Sequence, residues 1–86
     1  MELKELFTQA AADSKTLAEK PDNETLLQLY SLYKQATEGD APADNPAGAF
    51  DFVGKAKYEA WHNLKGLTNE EAMQRYVDLV KKLKGA

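Results

Sequence analysis

At 86 residues the chain has room for one domain, residues 1–86. A domain of this size buries only about 60 to 65% of its unfolded surface, so its stability is expected at about 4 to 13 kcal/mol. With no cysteine there is no disulfide framework and no thiolate zinc site, and a formal charge of −3 argues against a general nucleic-acid binder. An anionic ligand must therefore be met by a local cluster of cations. The N-terminal MELKELF alternates charge with leucine instead of reading as a secretory signal, and no run approaches the ~20 apolar residues of a membrane span. A reducing, cytoplasmic compartment is the expectation.

Apolar residues recur at helical intervals in four segments. The first carries Leu3, Leu6, Phe7, Ala10, Ala11 and Leu17, and should stop near Lys20, because Pro21 disfavours α geometry in the residue before it. The second carries Leu26, Leu29, Tyr30, Tyr33 and Ala36, with Asn23 as a cap and Gly39 at the end. A connection follows, GDAPADNPAGAFD, with two prolines, two glycines and three aspartates among thirteen residues. Its length exceeds the usual loop, so it either crosses the bundle end to end or carries function. The third segment carries Phe52, Val53, Ala56, Ala60, Trp61 and Leu64. Thr68–Glu71 then forms a capping box, with Leu67 placed to staple against Ala72, and opens a fourth segment of Met73, Tyr76, Val77, Val80 and Leu83. No comparable stretch alternates as a strand, so the fold is all-α. The short joints at Pro21 and Gly66 imply antiparallel neighbours.

Catalytic constellations are thin. Ser14 and Ser31 lie inside helical segments with no histidine at helical spacing, and His62 is single. Asp40, Asp44 and Asp51 lack the register of a calcium loop, which Ala41-Pro42-Ala43 interrupts, and turn residues explain them better. Lys81, Lys82 and Lys84 complement the macrodipole of the last helix. Lys34 and Lys57 differ, since each lies one turn from an inward aromatic or small residue: Lys34 beside Tyr30, Lys57 beside Ala60 and Trp61. A snorkelling lysine at the core edge is one reading of each. Tyr30, Tyr33 and Lys34 stand at i, i+3 and i+4 on one helical face, and a face built only to fill a core would use residues without polar atoms. A phosphate needs a cation and hydroxyl donors, and a base needs an aromatic plane. This helix offers all three from adjacent turns.

The segment LYSLYKQATEGD, from Leu29 to Asp40, resembles the LYxxYKQAT-GD signature of the acyl-CoA-binding protein family. The resemblance continues, in order, through Phe7, Ala10 and Ala11, the Lys20-Pro21 junction, GKAKYEAW from Gly54 to Trp61, LKG from Leu64 to Gly66, and EEAM-RYV from Glu70 to Val77. Two features depart from it: the loop before Phe52 is longer than the family's usual wording, and Tyr58 stands where tryptophan is common. The resemblance implies an up-down-down-up four-helix bundle with a bowl-like site. It also implies reversible, non-catalytic binding of medium- to long-chain fatty acyl-CoA by a monomer, without a cofactor or metal and with transient membrane contact at most. By the same resemblance Tyr30, Lys34 and Lys57 match ligands of the adenosine 3′-phosphate and Tyr33 the residue stacked on adenine. Lys15 and Tyr76 match further headgroup contacts, and Ala11, Leu26, Leu27 and Ala56 match residues along the acyl chain.

Two other classes remain open on the residues alone. A helical adaptor using the same aromatic face would expose an apolar patch and have no ligand-sized cavity. A small enzyme would use carboxylates such as Glu59 or Asp78, which fall on solvent faces.

Overall fold

The computed structural model describes residues 2–44, 48 and 51–85, and among them finds four helices and no strand: α1 Leu3–Ser14, α2 Asn23–Glu38, α3 Phe52–His62 and α4 Asn69–Gly85. The expected all-α fold is therefore observed, with differences at the helix ends. α1 stops at Ser14, well short of Lys20. Its last carbonyls are satisfied early, since Ser14 Oγ donates to Ala11 O at 2.8 Å and Thr16 Oγ1 to Asp13 O at 3.2 Å. The amides of Lys15 and Thr16 close tight i→i−3 turns onto Ala12 O and Asp13 O. Serine and threonine side chains thus end the helix before Pro21 has any influence.

α2 is capped by Asp22, not Asn23: the Asp22 carboxylate accepts from the Thr25 amide at 2.8 Å, and the hydrogen bonds from Thr25 hold its pKa below the ordinary value. Asn23 is the first helical residue. The helix ends as expected at Gly39, whose φ of 79° favours glycine. Asp51 caps α3 by accepting from Gly54 N at 2.8 Å. A Cβ on Gly54 would fall within 2.7 Å of the Asp51 carboxyl carbon, so glycine is what lets that cap close. At the start of α4, Thr68 Oγ1 accepts from the Glu71 amide and donates to Glu71 Oε1, each at 3.1 Å.

α2 packs against both α3 and α4, and α1 packs against α4. Among the described residues, α1 and α2 make no close backbone approach, nor do α3 and α4. The short joints therefore do not connect packed neighbours. Sequence distance says little about packing when a third helix fills the space: α4 lies between α1 and α2, and α2 between α4 and α3. The buried core draws Phe7 and Ala10 from α1, Leu29, Leu32 and Ala36 from α2, and Ala72, Tyr76, Val77 and Val80 from α4. α3 contributes only Trp61 to the buried set, and so leans on α2 instead of closing the bundle.

The pairs Tyr30–Lys57 and Lys34–Trp61 advance together along α2 and α3, so the two helices run parallel. A parallel pair needs a return path of about 24 Å for a helix of 16 residues, which accounts for the long connection. Its first residues descend along α3. Trp61 Nε1 donates to Gly39 O at 2.8 Å, and the single Tyr58 hydroxyl proton is shared between Pro42 O and Ala43 O, the latter at 3.1 Å. The two departures from the family wording, the longer loop and Tyr58, are thus in contact with each other. Residues 45–47, 49 and 50 of the loop lie outside the described residues.

The far end of α2 is tied to the α3–α4 joint by a polar hub. Gln35, fully buried, donates from Nε2 to Asp40 Oδ1 at 2.8 Å and to Leu67 O at 2.9 Å. Asp40 Oδ1 also accepts from Gly66 N at 2.9 Å, and Asn69 Nδ2 donates to Ala36 O at 2.9 Å. Asp40 and Asp51 therefore have turn and cap roles, as their positions suggested.

Candidate functional site

Because α3 leans away from the core, an apolar cavity of about 410 Å³ opens between the first turns of α2 and α3. Leu26, Leu27 and Ala56 lie in its lining, joined by Phe52, Val53 and Asn23, with Lys57 also present. Phe52 is 72% and Val53 66% exposed, so one apolar wall faces solvent. A second cavity, of about 350 Å³, lies among α1, α2 and α4 and is lined by Tyr30, Tyr33, Tyr76, Lys15, Ala11, Ser14 and Leu29. Both volumes fall in the range of small-molecule sites. Lys57, from the first lining, stands 5.3 Å from the ring centroid of Tyr30, from the second. This pair links the two linings.

The tyrosines are held by neighbours on α1 and α4. Tyr33 stacks on Phe7 with centroids 5.4 Å apart, and Tyr76 presents an edge to Phe7 at 5.1 Å. Tyr33 is nonetheless 42% exposed and lines the cavity, so its ring retains open surface. Tyr76 is only 4% exposed, and its hydroxyl meets Ser14 Oγ at 3.1 Å. The Ser14 proton is already given to Ala11 O, so Tyr76 must be the donor in that contact.

The lysines differ in readiness. Among the described residues, Lys15 and Lys57 have no carboxylate partner. Lys34 forms an ion pair with Glu38, and its ammonium stands 5.0 Å from the Trp61 ring centroid. The hydrogen bond to Glu38 raises the Lys34 pKa above its ordinary value despite some desolvation. The sequence expectation paired Lys34 with Tyr30 and Lys57 with Trp61, whereas each lysine reaches across to the aromatic ring of the other helix. Spacing within one helix cannot reveal that crossing, which the parallel register of α2 and α3 produces.

Of the ten residues named from the sequence, Leu26, Leu27, Ala56 and Lys57 line the apolar cavity, and Ala11, Lys15, Tyr30, Tyr33 and Tyr76 line the tyrosine cavity. Ala11 is thus apart from the other three residues assigned to the acyl chain, and Lys34 is outside both linings. Sequence reasoning missed Ser14, Phe7 as the backing of Tyr33, and Glu38. Ser14 was within reach, since it follows Ala11 by three residues on the same face. Elsewhere, Glu59 and His62 are exposed, and exposed Asp78 accepts from Gln74 Nε2 at 2.9 Å. No helix of the described residues is long and apolar enough to cross a membrane.

Comparison with known proteins places this geometry in context. Residues 4–80 match the family model described as Acyl CoA binding protein. The chain is 45% identical over 83 residues to a Manduca sexta acyl-CoA-binding protein homolog, a match covering 96% of this chain and 92% of that one. It is 51% identical over 77 residues to the Caenorhabditis elegans acyl-CoA-binding protein homolog 1, covering 90% and 88%. A match of 52% identity to rat enoyl-CoA delta isomerase 2 covers 90% of this chain and only 19% of the rat protein. The crystal structure of Oryza sativa acyl-CoA-binding protein 2 superposes with a TM-score of 0.86 at 40% identity, covering 95% of this chain and 90% of that one.

Proposed function

Because the chain belongs to the acyl-CoA-binding protein family, we propose that it is a non-catalytic carrier of medium- to long-chain fatty acyl-CoA. The observation that supports this best is an apolar cavity beside a tyrosine- and lysine-lined one, with Lys57 of the first 5.3 Å from the ring of Tyr30 in the second. An ester with an alkyl chain at one end and a nucleotide at the other has the same division of chemistry.

In this reading the acyl chain lies along Leu26, Leu27 and Ala56, with Ala11 bordering the headgroup end. A sixteen-carbon chain has about 14 methylenes, and at about 0.8 kcal/mol each their complete burial supplies about 11 kcal/mol before ordering costs. Even partial burial dominates affinity. Tyr33 offers its ring to adenine, Tyr30 a hydroxyl and Lys34 and Lys57 ammonium groups to the 3′-phosphate, while Lys15 and Tyr76 border the rest of the headgroup. These groups orient the ligand and disfavour free fatty acid, which lacks the nucleotide. The 86-residue unit acts as one domain and a monomer, in the cytoplasm, with no cofactor beyond its ligand. An adaptor without a ligand-sized cavity fits this geometry less well.

Native mass spectrometry of the freshly purified protein tests the reading. A carrier retains cellular acyl-CoA at one per monomer, and addition of palmitoyl-CoA converts the remaining free protein to that complex. A spectrum in which added palmitoyl-CoA leaves only unliganded protein removes the proposal.

A further inference from the structure

Glu38 pairs with Lys34, and helix stability gives this pair only weak support. The order Lys-to-Glu at i,i+4 is the less stabilising of the two orientations. Glu38 also sits in the last turn of α2, where a negative charge opposes the macrodipole and where the turn itself holds no basic residue. The pair nevertheless forms, with Lys34 side-chain exposure at 26% and Glu38 at 53%. On its other side Lys34 faces Trp61, whose indole is fixed by its bond to Gly39 O. Lys34 is therefore held between a fixed ring and an exposed carboxylate, whereas among the described residues Lys57 and Lys15 have no carboxylate partner.

We propose that Glu38 is a specificity-determining residue: its carboxylate competes with the ligand's 3′-phosphate for the Lys34 ammonium, so that binding exchanges one anion for another at this cation. The proposal rests on the reading of the site as an acyl-CoA site. The exchange requires only that an exposed glutamate swing into solvent, while Lys34 keeps its place near Trp61. Part of the attraction between Lys34 and the phosphate is offset by the lost pair. Glu38 thereby narrows the preference for a phosphorylated headgroup over one without the phosphate.

The test compares wild type, Glu38→Gln, Lys34→Ala and the double variant, each titrated with palmitoyl-CoA and with palmitoyl-dephospho-CoA, which lacks the 3′-phosphate. Thermal unfolding without ligand checks that each variant is folded. At low ionic strength Glu38→Gln should bind palmitoyl-CoA about 2- to 5-fold more tightly, the scale of an exposed ion pair, and bind the dephospho ligand as wild type does. The gain should disappear at about 1 M salt, where the Debye length is about 3 Å, and should be absent when Lys34→Ala is also present. Equal gains for both ligands, or a gain undiminished in the Lys34→Ala background, overturn the proposal. If wild type binds neither ligand, the carrier reading itself fails, an outcome distinct from both.

Discussion

Phe7 of α1 stacks on Tyr33 of α2 with centroids 5.4 Å apart and planes 25° from parallel, although the two helices make no close backbone approach. The contact spans the gap that α4 leaves between them and supports a ring that is still 42% exposed. A planar ligand group can stack only on the surface that Phe7 leaves open. Tyr33→Phe should therefore keep most of the affinity for acyl-CoA, and Tyr33→Ala should lose about 1 to 3 kcal/mol. Calorimetric titration of the two variants decides this; equal damage in both would show that the hydroxyl, not the ring, makes the contact.

Tyr30 and Lys57, one from each cavity lining, are the residues proposed to make polar contacts to phosphate. Tyr30→Phe and Lys57→Ala should each weaken acyl-CoA binding by about 1.5 to 3 kcal/mol, the scale of hydrogen bonds to a charged group. Both should lose far less against acyl-dephospho-CoA. Lys34→Ala should cost less than Lys57→Ala, because in the proposed exchange Lys34 must give up its pairing with Glu38. Losses of the same size against both ligands would contradict the assignment.

Ser14 supports Tyr76. In Ser14→Ala the hydroxyl of Tyr76, on a residue only 4% exposed, loses its acceptor, so the ligand-free protein should be destabilised by about 1 to 3 kcal/mol. In a Tyr76→Phe background the same substitution should cost less, since no phenol is left without a partner. Urea denaturation of the four proteins measures the coupling, and strict additivity would show that the two hydroxyls do not act together.

Asp40 links stability to pH. The backbone hydrogen bond from Gly66, and after it the bond from Gln35, lower its pKa in the folded state. A depressed carboxylate contributes its full stabilisation above the unfolded value of about 3.9 and loses it as pH falls through the lower folded value. Asp13, lowered chiefly by its hydrogen bond from Lys84, acts in the same direction. Asp40→Asn should therefore weaken the decline in melting temperature below about pH 4. Melting curves collected from neutral to strongly acidic pH check this, and an acid limb as steep as that of wild type would assign the decline to other carboxylates.

Much of the fold was legible because helical periodicity is local. Leu29, Tyr33 and Ala36 announce α2 by their spacing, whereas the length of the connection after Gly39 left open whether it crosses the bundle or carries function. The end of α1 was misread because Pro21 is a stronger stop signal in sequence than Ser14 and Thr16, whose hydroxyls terminate the helix by bonding back to its carbonyls. The aromatic partners of Lys34 and Lys57 depend on how α2 and α3 align, which no spacing within either helix encodes. The contact of Phe7 with Tyr33 is likewise a product of packing, as is the bond between Ser14 and Tyr76.

Calorimetry with palmitoyl-CoA, free CoA and free palmitate, each titrated into the same preparation, tests the carrier reading most directly. The account predicts one palmitoyl-CoA per monomer, bound much more tightly than free CoA, with weak binding of palmitate and affinity that rises with chain length from medium to long acyl groups. Equal affinity for free CoA and palmitoyl-CoA would contradict it, because the apolar cavity between α2 and α3 would then contribute nothing to binding.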